Sequence, residues 1–144
     1  MENKLFQVSL KIILKNEEGE ILVLKTREES SLFGFYDLPG GRIKEDEIET
    51  PFEEILAREI AEELGENVEY EIKIKPVAIA RHASLSGQLF WVFFEALYKK
   101  GEIKISAEHS GYRWEKLNGE NLERFFIKGS LEGMRNYFND LRNN

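Results

Sequence analysis

Nine of the ten residues in LFWVFFEALY, 89–98, are apolar. A run of this kind reads as a central strand covered on both faces, because a strand with one wet face carries a polar residue at every second position. The chain must therefore supply two covering layers. Ahead of the run, Phe6, Val8, Leu10, Ile12 and Leu14 alternate with Gln7, Ser9 and Lys11, the period-two signature of a strand with one face on a core. NEEGE at 16–20 is a turn with Gly19 available for a positive φ, and ILVLKT at 21–26 completes a hairpin. Strand character returns from Val68 to Leu97, broken near Pro76 and at SLSGQ, 84–88; IKI after the KKGE turn reads as one more short strand. Two stretches read as helix. Thr50, Pro51 and Glu53 offer a capping hydroxyl, a proline at the first helical position and a capping-box glutamate for a helix to Leu64, stopped by Gly65. Leu131, Met134, Phe138 and Leu141 recur at helical spacing and make 130–142 an amphipathic helix. Strands with one helix in the middle and one at the end predict an α+β or three-layer α/β/α sandwich.

A length of 144 residues suits one domain, 1–144, with enough apolar and aromatic material for a sizeable core. Cysteine is absent, which removes disulfides, thiolate metal sites and cysteine nucleophiles together and suits a cytoplasmic location. A formal charge of −7 argues against long nucleic acids, whose phosphates are held by lysine and arginine. Small phosphorylated molecules stay open if a divalent cation mediates. No stretch approaches the ~20 apolar residues that cross a bilayer, so no membrane partner is expected.

REIAEELG, 58–65, poses the functional question. Glu59, Glu62 and Glu63 fall at i, i+3 and i+4, so their carboxylates converge, with Ala57, Ile60, Ala61 and Leu64 expected opposite as the apolar back. From Glu45 to Glu66 there are ten acidic residues and one base, Arg58. Like charges at this spacing destabilise a helix by a few tenths of a kcal/mol per pair. Spacing alone admits a solvated acidic face or a set of hard oxygen ligands for Mg²⁺ or Mn²⁺. The preceding loop adds LPGG, 38–41, whose glycines let backbone approach a ligand closely.

Taken together, LPGGRIKEDEIETPFEEILAREIAEELG resembles the Nudix box, the loop–helix–loop signature of the Nudix hydrolases, MutT-like enzymes among them. Gly41, Arg58, Glu59, Ile60, Glu62, Glu63 and Gly65 match it in type and order. Between Gly41 and Arg58 the chain has sixteen residues where the usual pattern has thirteen, so the first box glutamate is either Glu47, by spacing from the glycine, or Glu49, by its ETP context, with Glu49 slightly favoured. Glu66 stands where the pattern has an apolar residue.

The resemblance implies a mixed β-sheet with the box helix and the C-terminal helix packed on it. It further implies metal-dependent hydrolysis of a diphosphate linkage in a nucleoside diphosphate derivative by water attack, with a small-molecule nucleotide as partner and a homodimer compatible with the family. By the family pattern Glu59, Glu62, Glu63 and the backbone carbonyl of Gly41 or Gly40 hold Mg²⁺ or Mn²⁺, and Arg58 orients the carboxylates. Glu63, or Glu108 in SAEHSGYRW, takes the proton from water, with His109 as a competitor. Arg27, Arg42 and Arg81 are phosphate-binding candidates, with Lys25 also considered; Phe35, beside Phe33 and Tyr36, is a candidate to stack on a base. Trp91 and Trp114 are expected in the core. Two other readings compete: a catalytically silent nucleotide-binding or sensor module, and an isopentenyl diphosphate isomerase, against which the missing cysteine and short chain weigh.

Overall fold

The computed structural model describes residues 1–85 and 87–143. The alternating segment forms β1, Gln7–Lys15, and the NEEGE turn returns it as β2, Ile21–Thr26, with Lys15 opposite Ile21. The apolar run lies inside β7, Gly87–Lys100, which is the spine of the sheet. β1 runs parallel to it from Gln7 opposite Leu89 to Lys15 opposite Leu97. On its other edge, β5, Glu69–Ile72, and β6, Ala78–Ser84, follow one another antiparallel. The SLSGQ turn between β6 and β7 includes Ser86, which lies outside the described residues.

β2 meets β1 only beside the turn and then pairs with β3, Tyr36–Asp37, and β8, His109–Glu115. The edge of β1 that it leaves is taken by β4, Gly40–Arg42, opposite Ser9, Leu10 and Lys11. This splay of β2 from β1 lets the LPGG loop enter the sheet. The described strands make one mixed sheet, with β1–β7 its parallel pair.

The two helices cover opposite faces. α1, Phe52–Leu64, packs Ile55, Leu56, Ile60 and Leu64 on Leu10, Ile12, Leu14, Phe94 and Ala96. α2, Lys128–Arg142, packs Met134 and Tyr137 on Ile13, Val23, Trp91 and Phe93. Neighbouring residues of β7 thus enter different cores, and the absence of polar alternation in the run follows. Each fully buried leucine, isoleucine or phenylalanine in these layers contributes about 1.5–3 kcal/mol.

Several local expectations are corrected. Pro51, not Thr50, is the N-cap of α1, and no side chain caps it. The Thr50 N–H closes a turn on the Glu47 carbonyl, and a proline cap has no N–H for Glu53 to accept. IKI forms no strand; Lys104 N–H and Ser106 N–H bond the carbonyls of Leu64 and Glu63 at 2.8 and 3.1 Å, satisfying helix-end acceptors that would otherwise lack partners. The 27–50 connection holds β3, β4 and a 3₁₀ turn at Glu45–Glu47. On α1, Ala57 is exposed and Ala61 half-buried, while Ile55 and Leu56 take the buried positions.

Candidate active site

β4 presses the glycine pair against α1. Gly40, at φ +140°, would drive a Cβ into the Leu10 carbonyl, so only glycine fits there. Its N–H donates to Glu63 Oε2 at 2.7 Å. A Cβ on Gly41 would lie 2.6 Å from both carboxylate oxygens of Glu59. Gly40 is thus required by the β1 backbone and Gly41 leaves room for Glu59, while Glu59 and Glu63, one helical turn apart, lie on the buried side of α1 at 5% and 7% exposure. Glu62 instead sits on the exposed flank.

Arg58 organises the acids. Its Nε and Nη2 grip both oxygens of Glu47 at 2.6 Å each, and Nη1 reaches Glu59 at 3.0 Å and Glu62 at 3.1 Å. Such a fork fixes carboxylate orientation as well as charge. Glu47 makes this contact, while Glu49 lies exposed beyond the turn; the spacing from Gly41, not the ETP context, was the informative signal. Lys44 Nζ adds a contact to Glu62 at 3.6 Å.

The electrostatics are uneven. Burial pushes the Glu63 carboxyl up to about 7, although the Gly40 N–H and Lys11 pull against it. Burial also raises Glu59, with Arg58 opposing. The Arg58 hydrogen bonds hold Glu47 low instead. Two buried carboxylates thus lack full compensation, which suits a site that a cation completes.

The segment tied to the end of α1 supplies the opposite wall. Ser106 and Glu108 line a cleft of about 280 Å³ with Gly40, Gly41, Arg42, Lys44 and the α1 residues. Ligand atoms of Glu63, Glu108 and His109 all lie within 4.8 Å of one another. His109 Nε2 is 3.8 Å from Asp37 Oδ2, and Asp37 is paired with buried Lys11 at 3.1 Å. Burial alone would raise the Asp37 carboxyl; Lys11, His109 and the Leu38 N–H hold it well below its ordinary range. Hard carboxylate oxygens around a small cleft are the donor set that Mg²⁺ and Mn²⁺ take, so these residues fit such an ion. A larger cavity, about 550 Å³ between α2 and β5, lies apart; its Glu95 accepts from buried Tyr137.

Of the residues singled out from sequence, Arg58, Glu59, Glu62, Glu63, Glu108, Gly41 and Arg42 meet at this cleft. Arg27 does not line it but donates to the Ala107 carbonyl at 3.0 Å, holding the segment that carries Glu108. Arg81 is exposed on β6, and Phe35 lines a separate pocket with Lys25 and Phe33. Trp91 is in the core beneath α2; Trp114 is half-buried against the other core, beneath α1. Sequence reasoning missed Lys11, Asp37, Lys44 and Ser106. A lysine among apolar residues in β1 was the available hint for the first.

A mixed sheet between two helices, with a glycine loop folded onto an acidic helix, is the architecture of the Nudix fold. The NUDIX domain profile matches residues 5–128, and the chain belongs to the Nudix hydrolase family. It is similar to the MutT protein of Methanosarcina mazei Go1 at 26% identity and TM-score 0.73, covering 99% of this chain and 97% of that one. It shares its fold with the E. coli ORF135 protein at 21% identity and TM-score 0.71, covering 95% and 91% of the two chains. The NUDIX domain of Shewanella oneidensis NrtR, solved with ADP ribose, is similar at 17% identity and TM-score 0.67, covering 97% and 90%. No curated protein matches the chain.

Proposed function

We propose that the chain, as one Nudix domain over residues 1–144, hydrolyses the diphosphate linkage of a nucleoside diphosphate joined to a group X, with Mg²⁺ or Mn²⁺. The observation that carries this reading is the placement of buried Glu59 and Glu63 against the Gly40–Gly41 backbone, where an acidic site needs cations before it can accept an anionic substrate. When bound, the divalent cation neutralises charge and lowers the pKa of water.

The chain's own residues do the rest. Glu59, Glu62, Glu63 and the Gly41 carbonyl hold the cation. Arg58 and the Gly40 N–H lock the carboxylate rotamers, so the donors are set before substrate arrives. Arg42 and Lys44 at the rim meet phosphate oxygens. Glu108 takes the proton as water oxygen bonds to phosphorus and the bridging P–O bond breaks, leaving a nucleoside monophosphate and phosphorylated X; Glu63 is the second candidate for this proton. Arg27 steadies Glu108 through Ala107. The relatives' ligands support the substrate class: one neighbouring structure is described as a UDP-X diphosphatase and another carries ADP ribose.

The test is a panel of nucleoside diphosphate derivatives incubated with each metal, with products identified by mass. Cleavage within the diphosphate is expected, with Glu62→Gln and Glu63→Gln each lowering turnover by about a hundredfold or more while the circular dichroism spectrum is unchanged. Full activity in both variants contradicts the assigned roles.

A further inference from the structure

Arg42 and Lys44 each face two depressions. One is the acidic cleft; the other, about 500 Å³, is formed with Phe6, Gln7, Val8, Ile43 and Ile48. The second is apolar in its side chains apart from Gln7 and the two shared cations. Ile48 is 78% exposed and Phe6 38%, an apolar surface left open beside charge. Ile48 is not there by slack. Its neighbour Glu47 is clamped by two hydrogen bonds from Arg58 and accepts a third from the Lys44 N–H, so the longer loop is pinned with this isoleucine turned outward.

The order of surfaces is therefore carboxylates, then cations, then apolar side chains. The geometry points to a subsite for X in this groove, and to an X that is an apolar group, aromatic or branched alkyl, and not a sugar. This rests on the reading of the cleft given above. A diphosphate with one phosphoryl at the carboxylates brings the second to Arg42 and Lys44, and whatever is esterified there lands on Phe6, Ile43 and Ile48. Sugar hydroxyls would lose water against these side chains and find one neutral side-chain partner, Gln7. An apolar group loses nothing comparable and covers Ile48.

Adenosine diphosphate esters with X as methyl, glucose or phenylethyl, assayed with wild type, Ile48→Ser and Phe6→Ser, test this. Wild type should favour phenylethyl over methyl and glucose by about tenfold in kcat/KM, through KM. Ile48→Ser, at an exposed position that supports little of the fold, should erase that preference by lowering kcat/KM for the phenylethyl ester to about that for the methyl ester; Phe6→Ser should act in the same direction. Equal or better turnover of the glucose ester overturns the inference. So does an equal loss on all three esters in Ile48→Ser, which would place the nucleoside, not X, in the groove. If no ester is cleaved with either metal, the reading of the cleft itself has failed; cleavage of all three without preference sinks the X subsite alone.

Discussion

Glu47 and Glu49 are two residues apart and chemically identical, yet only one is given a task. Glu47 accepts both prongs of Arg58, half-buried, at 2.6 Å. Replacing it with glutamine removes a charge-assisted pair and should cost about 1–2 kcal/mol in urea denaturation, whereas Glu49→Gln should stay within about 0.5 kcal/mol of wild type. Equal effects from the two would mean that the Arg58 clamp does not hold in solution. Arg58, Glu59, Glu62 and Glu63 were legible because their spacing on one helix is fixed by the 3.6-residue turn. Glu47 was reached only by counting from Gly41, because three extra residues after it uncouple its position from Arg58. Lys11 and Asp37 were hidden for another reason: their pairing joins strands 26 residues apart, which no local pattern encodes.

At the level of elements, the apolar run announced β7 and the alternating segment announced β1, but the one-face expectation for β1 is corrected. Ser9, Lys11 and Ile13 are buried as well as Leu10, Ile12 and Leu14, because α2 and α1 cover its two faces. The IKI segment misled by composition. Its backbone found partners at the end of α1 instead of in the sheet, and this places Ser106 and Glu108 at the cleft. Helix α2 carries its own constraint, since a Cβ at Gly133 would collide with the Phe93 ring. Gly133→Ala should therefore destabilise by about 1–3 kcal/mol through overpacking, although alanine is the better helix former. A melting temperature at or above that of wild type would show that the helix can shift to make room. At Gly40 the same collision would be with the Leu10 backbone, which cannot rotate away, so this glycine fixes β4 against β1 more rigidly than a side-chain contact would.

The whole molecule should show its buried acids in its response to pH. Without metal, folded Glu63 keeps its proton up to about 7, while the unfolded chain releases it near 4.5. Between those values the native state binds more protons, so stability falls as pH rises through the window, by up to about 3 kcal/mol. Glu59 acts in the same direction. Asp37, held low, stabilises above its ordinary 3.8 and is lost only as pH falls below that, outside the window. Urea denaturation in chelator at about pH 5 and about pH 8 should show the decline, and Glu63→Gln should flatten most of it. A slope unchanged in that variant would assign the effect elsewhere.

We propose that Glu59, Glu62 and Glu63, set against the Gly40–Gly41 backbone, hold the divalent cation that lets an acidic protein act on a diphosphate. Crystals soaked in Mn²⁺ and measured for anomalous scattering address it most directly. Density is expected within bonding distance of these carboxylates and the Gly41 carbonyl, and is expected to be absent in Glu59→Gln/Glu63→Gln. Manganese bound only at other surface acids, with this cleft empty in the presence of a nucleotide, would contradict it.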